Sequence, residues 1–252
     1  MQKRGQVTTF VIIGILLVVI IILVFAFKDY LISGINSDPS KSLNVQKQME
    51  VKMASISEKI ESCVQDIGME TLVDMSERGG FFETIDYKRY QGKDISILCK
   101  KIKEDDYCLN VVPPNNVLEK QFSDVLKDRL GGCMQIQKFG SDDMKISTGG
   151  LLVETEIGKN VVVELDYAVT LEKDEQKYGQ NKFVYIINYP LEEFLDITRD
   201  IVGDHAIGEF DFVEQVANTP GWIIDPRDVG SNRIYRLADF HENYEFWFVV
   251  EK

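Results

Sequence analysis

Residues 161–172 read VVVELDYAVTLE, and the alternation in this stretch decides the fold. Val161, Val163, Leu165, Tyr167, Val169 and Leu171 fall on one side, with Glu164, Asp166, Thr170 and Glu172 on the other. That period of two belongs to a strand with one face on a core and one in water. LLVETEI at 151–157 precedes it, and Gly158-Lys159-Asn160 between them predicts a tight hairpin. KFVYIINY at 182–189 reads as a third strand after the polar turn KDEQKYGQN, which completes an antiparallel meander. Downstream, Pro190 starts a helix with Leu191, Phe194, Leu195, Thr198, Ile201 and Val202 turned inward and Gly203 closing it. A second helical piece spans about 207–218, and two strands, RIYRLADF and YEFWFVVE, finish the chain.

Upstream of the meander the period changes to that of helices. Pro113-Pro114 and Asn115-Asn116 open a helix whose apolar side is Leu118, Phe122, Val125, Leu126 and Leu130. Gly131-Gly132 either stop it before Cys133 or allow close packing beside that cysteine, and the sequence leaves both open. Residues 81–112 hold short β-prone pieces, FFETIDY, DISILC and CLNVV. Before them, Asp38 and Pro39 supply a cap and a first turn. Val45, Met49, Met53, Ile56, Ile60, Cys63 and Ile67 then form a stripe that Gly79-Gly80 ends. This stripe over 38–78 is expected to lie on the domain's own core, with neighbouring subunits as the other candidate. The fold class read from the whole is α+β: a long N-terminal helix, then an antiparallel-sheet domain over 79–252 with packed helices and disulfides.

The N-terminus, KRGQVTTFVIIGILLVV from position 3, is of another kind. From Val7 to Phe27 the chain carries no charge, a run of 21 residues or roughly 30 Å of helix, one bilayer core. It exceeds the apolar region of a secretory signal, no small-residue cleavage site follows Phe27, and it lacks the polar stripe of a buried soluble helix. A transmembrane helix over 7–28 is therefore expected. Lys3 and Arg4 hold its start in the cytoplasm and the bulk of the chain lies outside. Past residue 28 stand 25 basic and 41 acidic residues, a net −16, which disfavours nucleic acid and anionic lipid as partners.

Cys63, Cys99, Cys108 and Cys133 all follow the expected crossing, and an even count in an oxidising compartment reads as two disulfides. Three pairings are possible. Cys99 with Cys108, flanking the charged segment KKIKEDDY, and Cys63 with Cys133, from two helices, are favoured. A zinc site is disfavoured: there is no C-x-x-C, and only His205 and His241 could assist. Gly79-Gly80 and Gly131-Gly132 lack the pattern of phosphate loops. Glu104-Asp105-Asp106 and Asp142-Asp143 lack calcium-loop spacing and read as solvated turns. His205, with Asp204 beside it and Glu209 four residues on, reads as a helix-end histidine. Trp222, Trp247 and Phe246-Trp247-Phe248 read as core. No nucleophile motif occurs, so neither an enzyme nor a cofactor is expected.

Residues 3–6, KRGQ, directly before an uncut apolar helix, resemble the class III signal of archaeal type IV pilin-like proteins. The resemblance implies cleavage by a prepilin-type peptidase between Gly5 and Gln6. It also implies a helix that anchors the subunit in the lipid bilayer and later self-associates in a filament. Many such pilins carry an acidic residue five positions into the mature chain, where this sequence has Phe10. The RGQVT start, SCVQDIG, GGFF, LGGCM, INYPLEEF and YEFWFVV also resemble the N-terminally anchored surface proteins of small-genome archaea. The function implied is a pilin-like surface subunit. The alternative is an anchored extracellular binding or adhesion domain that does not polymerise.

Overall fold

The computed structural model describes residues 39–84, 86–102, 107–240 and 244–252. The expected leader, the apolar segment 7–28, the Asp38 cap, Glu104-Asp105-Asp106 and His241 lie outside them. Among the described residues no helix is long and apolar enough to cross a membrane. The chain divides at Glu50 into two units. Helix α1 (Pro39–Ser76) begins in the first, where Val45 is half-buried and Met49 buried, and the rest of the fold belongs to the second.

In the second unit Met53, Ile56, Ile60 and Cys63 of α1 are buried, while Ile67 is half-exposed and the buried line passes to Val64, Leu72 and Met75. A helix of 3.6 residues per turn drifts off a 3.5-residue stripe, which accounts for the shift. Helix α1 ends at Ser76, and Gly79 and Gly80 follow with φ of +75° and +91°. A Cβ on Gly79 would lie 3.2 Å from the Trp247 carbonyl, so conformation and space both call for glycine there. Helix α2 (Asn115–Met134) runs through Gly131-Gly132 and buries Leu118, Phe122, Leu126, Leu130 and Met134.

The sheets are β1 (Tyr87–Tyr90), β2 (Lys93–Lys101) and β3 (Cys108–Asn110), the meander β4 (Lys145–Ile157), β5 (Val161–Lys173) and β6 (Gln176–Ile187), and β7 (Trp222–Val229), β8 (Asn232–Asp239) and β9 (Glu245–Glu251). The meander is a sheet of its own, antiparallel with β5 central. All six inward residues of the 161–171 alternation are buried. Its inner face meets α1 and α2: the Tyr185 hydroxyl donates to the Ser57 carbonyl, Ser123 bonds Thr155, and the Ile157 N–H donates to Glu119. The second sheet runs β1-β2-β9-β8-β7 with β3 beside β2, and only the β2–β9 pair is parallel. Helices α3 (Leu191–Ile207) and α4 (Phe212–Asn218) link the sheets, and Phe194 of α3 stacks on Phe246 of β9 at 5.6 Å between ring centres.

Several boundaries depart from the sequence reading. Helix α3 continues past Gly203 to Ile207 and is closed by Gly208, whose φ is +74°. FFETIDY is not a strand, and β1 instead takes Tyr87–Tyr90 and turns at Gln91-Gly92. The segment WIIDPRDV is strand β7. Pro226 at its centre argues against a central strand, and β7 is the edge where that objection lapses. KDEQKYGQN turns only at Asp174-Glu175, with Lys173 paired to Gln176, because the hairpin tip runs past the core and needs no apolar residues.

Asp174 and Glu175 have φ of +48° and +64°, the left-handed pair of a type I′ hairpin, for which Asn-Gly is the preferred occupant. Replacing both, Asp174→Asn with Glu175→Gly, should stabilise the protein by about 1 kcal/mol. Urea unfolding of the full chain measures it, and an unchanged or lowered midpoint contradicts the turn assignment.

Candidate functional site

The last turn of α3, the outer ends of β8 and β9, and Lys101 of β2 with Cys108 of β3 and the adjacent Tyr107 line a pocket of about 200 Å³. Alternation along β8 turns Arg233 and Tyr235 to the α3 side, where Tyr235 is fully buried and stacks on Phe248 at 5.0 Å. His205, one turn after Ile201 on the inward face of α3, brings Nε2 to 2.6 Å from the Tyr235 hydroxyl and stacks on Phe210 at 4.2 Å. Arg233 donates from Nε and Nη2 to Asp228 at 2.8 and 3.2 Å, and the Lys252 ammonium reaches the same carboxylate at 2.6 Å. The Lys101 backbone N–H donates to Glu251 at 2.9 Å, which ties the end of β2 to that of β9. Tyr107 and Cys108 close one wall, where the Tyr107 ring lies so near Gly208 that a Cβ there would approach to 2.9 Å.

Burial, helped by the positive charge of Arg233, pulls His205 down to about 4. Burial likewise pushes Tyr235 up to about 12 against the opposing pull of Arg233. Hydrogen bonds from Arg233 and then Lys252 hold Asp228 far below the usual carboxylate range. At pH 7 His205 is therefore neutral and Tyr235 protonated. Assigning Tyr235 as donor to His205 Nε2 leaves the phenolic oxygen free to face Arg233 and puts the ring proton on Nδ1. Proton transfer at neutral pH favours groups poised near 7, and these two stand well to either side of it. Asp228, Arg233, Tyr235 and His205 thus form a fixed polar chain along one side of a mouth rich in hydrogen-bond donors.

His205 binds a proton less readily in the folded chain than at its ordinary 6.5, so its contribution to stability is complete above pH 6.5 and lost as pH falls towards 4. Wild type should lose more melting temperature between pH 7 and pH 4.5 than His205→Gln, which keeps a neutral partner for Tyr235. Equal losses in the two proteins contradict the half-buried, neutral imidazole.

The other residues singled out by sequence fall in several places. Cys63 and Cys133 stand at disulfide distance, Cα atoms 5.9 Å apart, joining α1 to α2; Cys99 and Cys108 do so at 5.3 Å, joining β2 to β3. Asp204 and Glu209 do not join His205: the Glu209 N–H caps the Asp204 carbonyl. Asp143 accepts from Lys173 and Ser141, which lower it to about 2, and Asp142 is exposed beside it. Trp222 sits edge-on to Phe194 at 4.9 Å, and Trp247 is buried with Ile95, Ile234 and Val249 on the opposite face of the sheet. Gly5 and Gln6 lie outside the described residues. Sequence reasoning missed Lys101, Arg233, Tyr235, Glu251 and Lys252. The alternation in RIYRL puts Arg233 and Tyr235 on one face, but nothing local pairs them with residues 30 to 150 positions away.

The open face of the meander has the opposite character to the pocket. Glu154 lies directly across from Glu164, Asp166 is adjacent, Lys182 reaches Glu164, and exposed Leu152, Val184 and Ile186 lie between the charges. Among the described residues no group of three His, Cys, Asp or Glu side chains converges to hold a metal. No protein-family model, curated protein or solved structure matches the chain.

Proposed function

We propose that the chain is a pilin-like surface subunit, inserted in the membrane by residues 7–28 with its folded α+β domain in the oxidising exterior. The observation that carries this reading is the 21-residue uncharged run, separated by 11 residues from the 38-residue helix α1. Hydrocarbon of that length belongs in a bilayer. The cysteine pairs at disulfide distance support an exterior location, because such bonds persist where thiols are not kept reduced. The partners are the lipid bilayer, a prepilin-type peptidase acting between Gly5 and Gln6, and neighbouring copies meeting through the apolar helix.

The mass of the N-terminal peptide from native protein tests the processing step. A peptide beginning at Gln6 is expected, and one beginning at Met1 overturns it. Gentle extraction followed by electron microscopy tests assembly, with ordered fibres containing this chain as the expected result. The pocket beside His205 favours one second reading, an anchored binding or adhesion domain that does not polymerise. Single particles in place of fibres would select it.

A further inference from the structure

We propose that the pocket between the end of α3 and the ends of β2, β8 and β9 binds a compact oxyanion, a carboxylate or phosphate carried on a body of about monosaccharide size. This goes beyond the surface-subunit reading and holds whether or not the leader is cut or filaments form.

The first argument is charge. The chain carries 41 acidic and 28 basic residues, yet among the described residues this pocket is lined by Lys101, Arg233 and Lys252 with Glu251 as the one carboxylate. Asp228, which pairs with Arg233 and Lys252, is not among the lining residues. One half-exposed carboxylate outside the lining therefore serves both of these cations. Glu251 already accepts the Lys101 N–H through one oxygen, which reduces its capacity to compete for cations.

The second argument is the balance of donors. Lysine and arginine only donate, and with Nε2 engaged by Tyr235 the neutral His205 has its Nδ1 proton left to give. A ligand in this cavity meets donors from several elements and needs oxygen acceptors, preferably charged ones. Among the described lining residues a cation would face three positive side chains.

The third argument is shape and fixity. About 200 Å³ is too small for a peptide or nucleotide and suits a single sugar ring or a short organic acid. Tyr107, Cys108 and Val250 give the body of such a ligand an apolar wall. The Cys99–Cys108 pair and the bonding of Arg233 to Asp228 hold that wall and one donor in place before any ligand arrives, which limits the entropy lost on binding.

Titration calorimetry on the full chain in non-ionic detergent at pH 7 tests the proposal, with inorganic phosphate, D-glucuronate and D-glucose as probes. Saturable binding of phosphate, glucuronate or both is expected, with glucose silent and affinity falling as salt rises from 20 to 300 mM. Phosphate alone selects a phosphoryl ligand and glucuronate alone a carboxylate. Lys101→Ala and Lys252→Ala should each weaken binding about fivefold, and Glu251→Gln, which removes the one opposing charge while keeping an acceptor for the Lys101 N–H, should strengthen it about threefold. The gain in Glu251→Gln cannot come from misfolding. Absence of saturation by either anion at 10 mM overturns the proposal, as does binding that none of the three substitutions moves.

Discussion

Replacing Cys63 and Cys133 together by serine should lower the stability of the folded unit by about 4 kcal/mol, the larger loss of the two cysteine pairs. The pair closes a loop across a sequence separation of 70, whereas Cys99 and Cys108 are separated by 9. In the chain-entropy account the cost of opening a cross-link rises with the logarithm of loop length, giving about 4 kcal/mol for the first and about 3 for the second. The longer loop also joins the two helices that cover the inner face of the meander, so its loss removes their covalent cross-link. Urea unfolding of the oxidised full chain, of each double serine variant and of reduced wild type measures this. A Cys99/Cys108 variant less stable than the Cys63/Cys133 variant contradicts the loop argument.

Phe194→Ala should cost about 3 to 5 kcal/mol, the usual range for deleting a fully buried phenyl ring. Phe194 is completely buried, and its ring contacts Tyr189 at 6.3 Å, Trp222 at 4.9 Å and Phe246 at 5.6 Å. These rings come from three separate parts of the chain, so the hole cannot close by a local shift of one element. Phe194→Leu, which refills much of the volume, should recover more than half of the loss. If alanine and leucine are equally tolerated, the aromatic contacts are not what holds α3 to the second sheet.

The parts of the fold legible in the sequence are those written by local periodicity. Strand β5 shows its alternation because one face is buried along its whole length, and the Gly158-Lys159-Asn160 hairpin follows from loop chemistry. Helix α2 begins where Pro114 and Asn115 predict. Strand β7 was hidden by Pro226, because a sequence does not reveal which strand will end at a sheet edge. The end of α3 was misplaced because Gly203 and Gly208 look alike in sequence, and only Gly208 takes the left-handed conformation that closes a helix. The pocket was illegible for a different reason. His205 meets Tyr235 across 30 positions and Lys101 meets Glu251 across 150, contacts that come from sheet order and leave no periodic trace.

Sheet order has one more consequence, for biosynthesis. Strand β9 lies between β2 and β8, so the middle of the second sheet is contributed by residues 245–251. A nascent polypeptide can pair β1 with β2 early, but β2 then presents an unfilled edge until some 150 further residues have left the ribosome. The second sheet therefore closes only once residues 245–251 have left the ribosome.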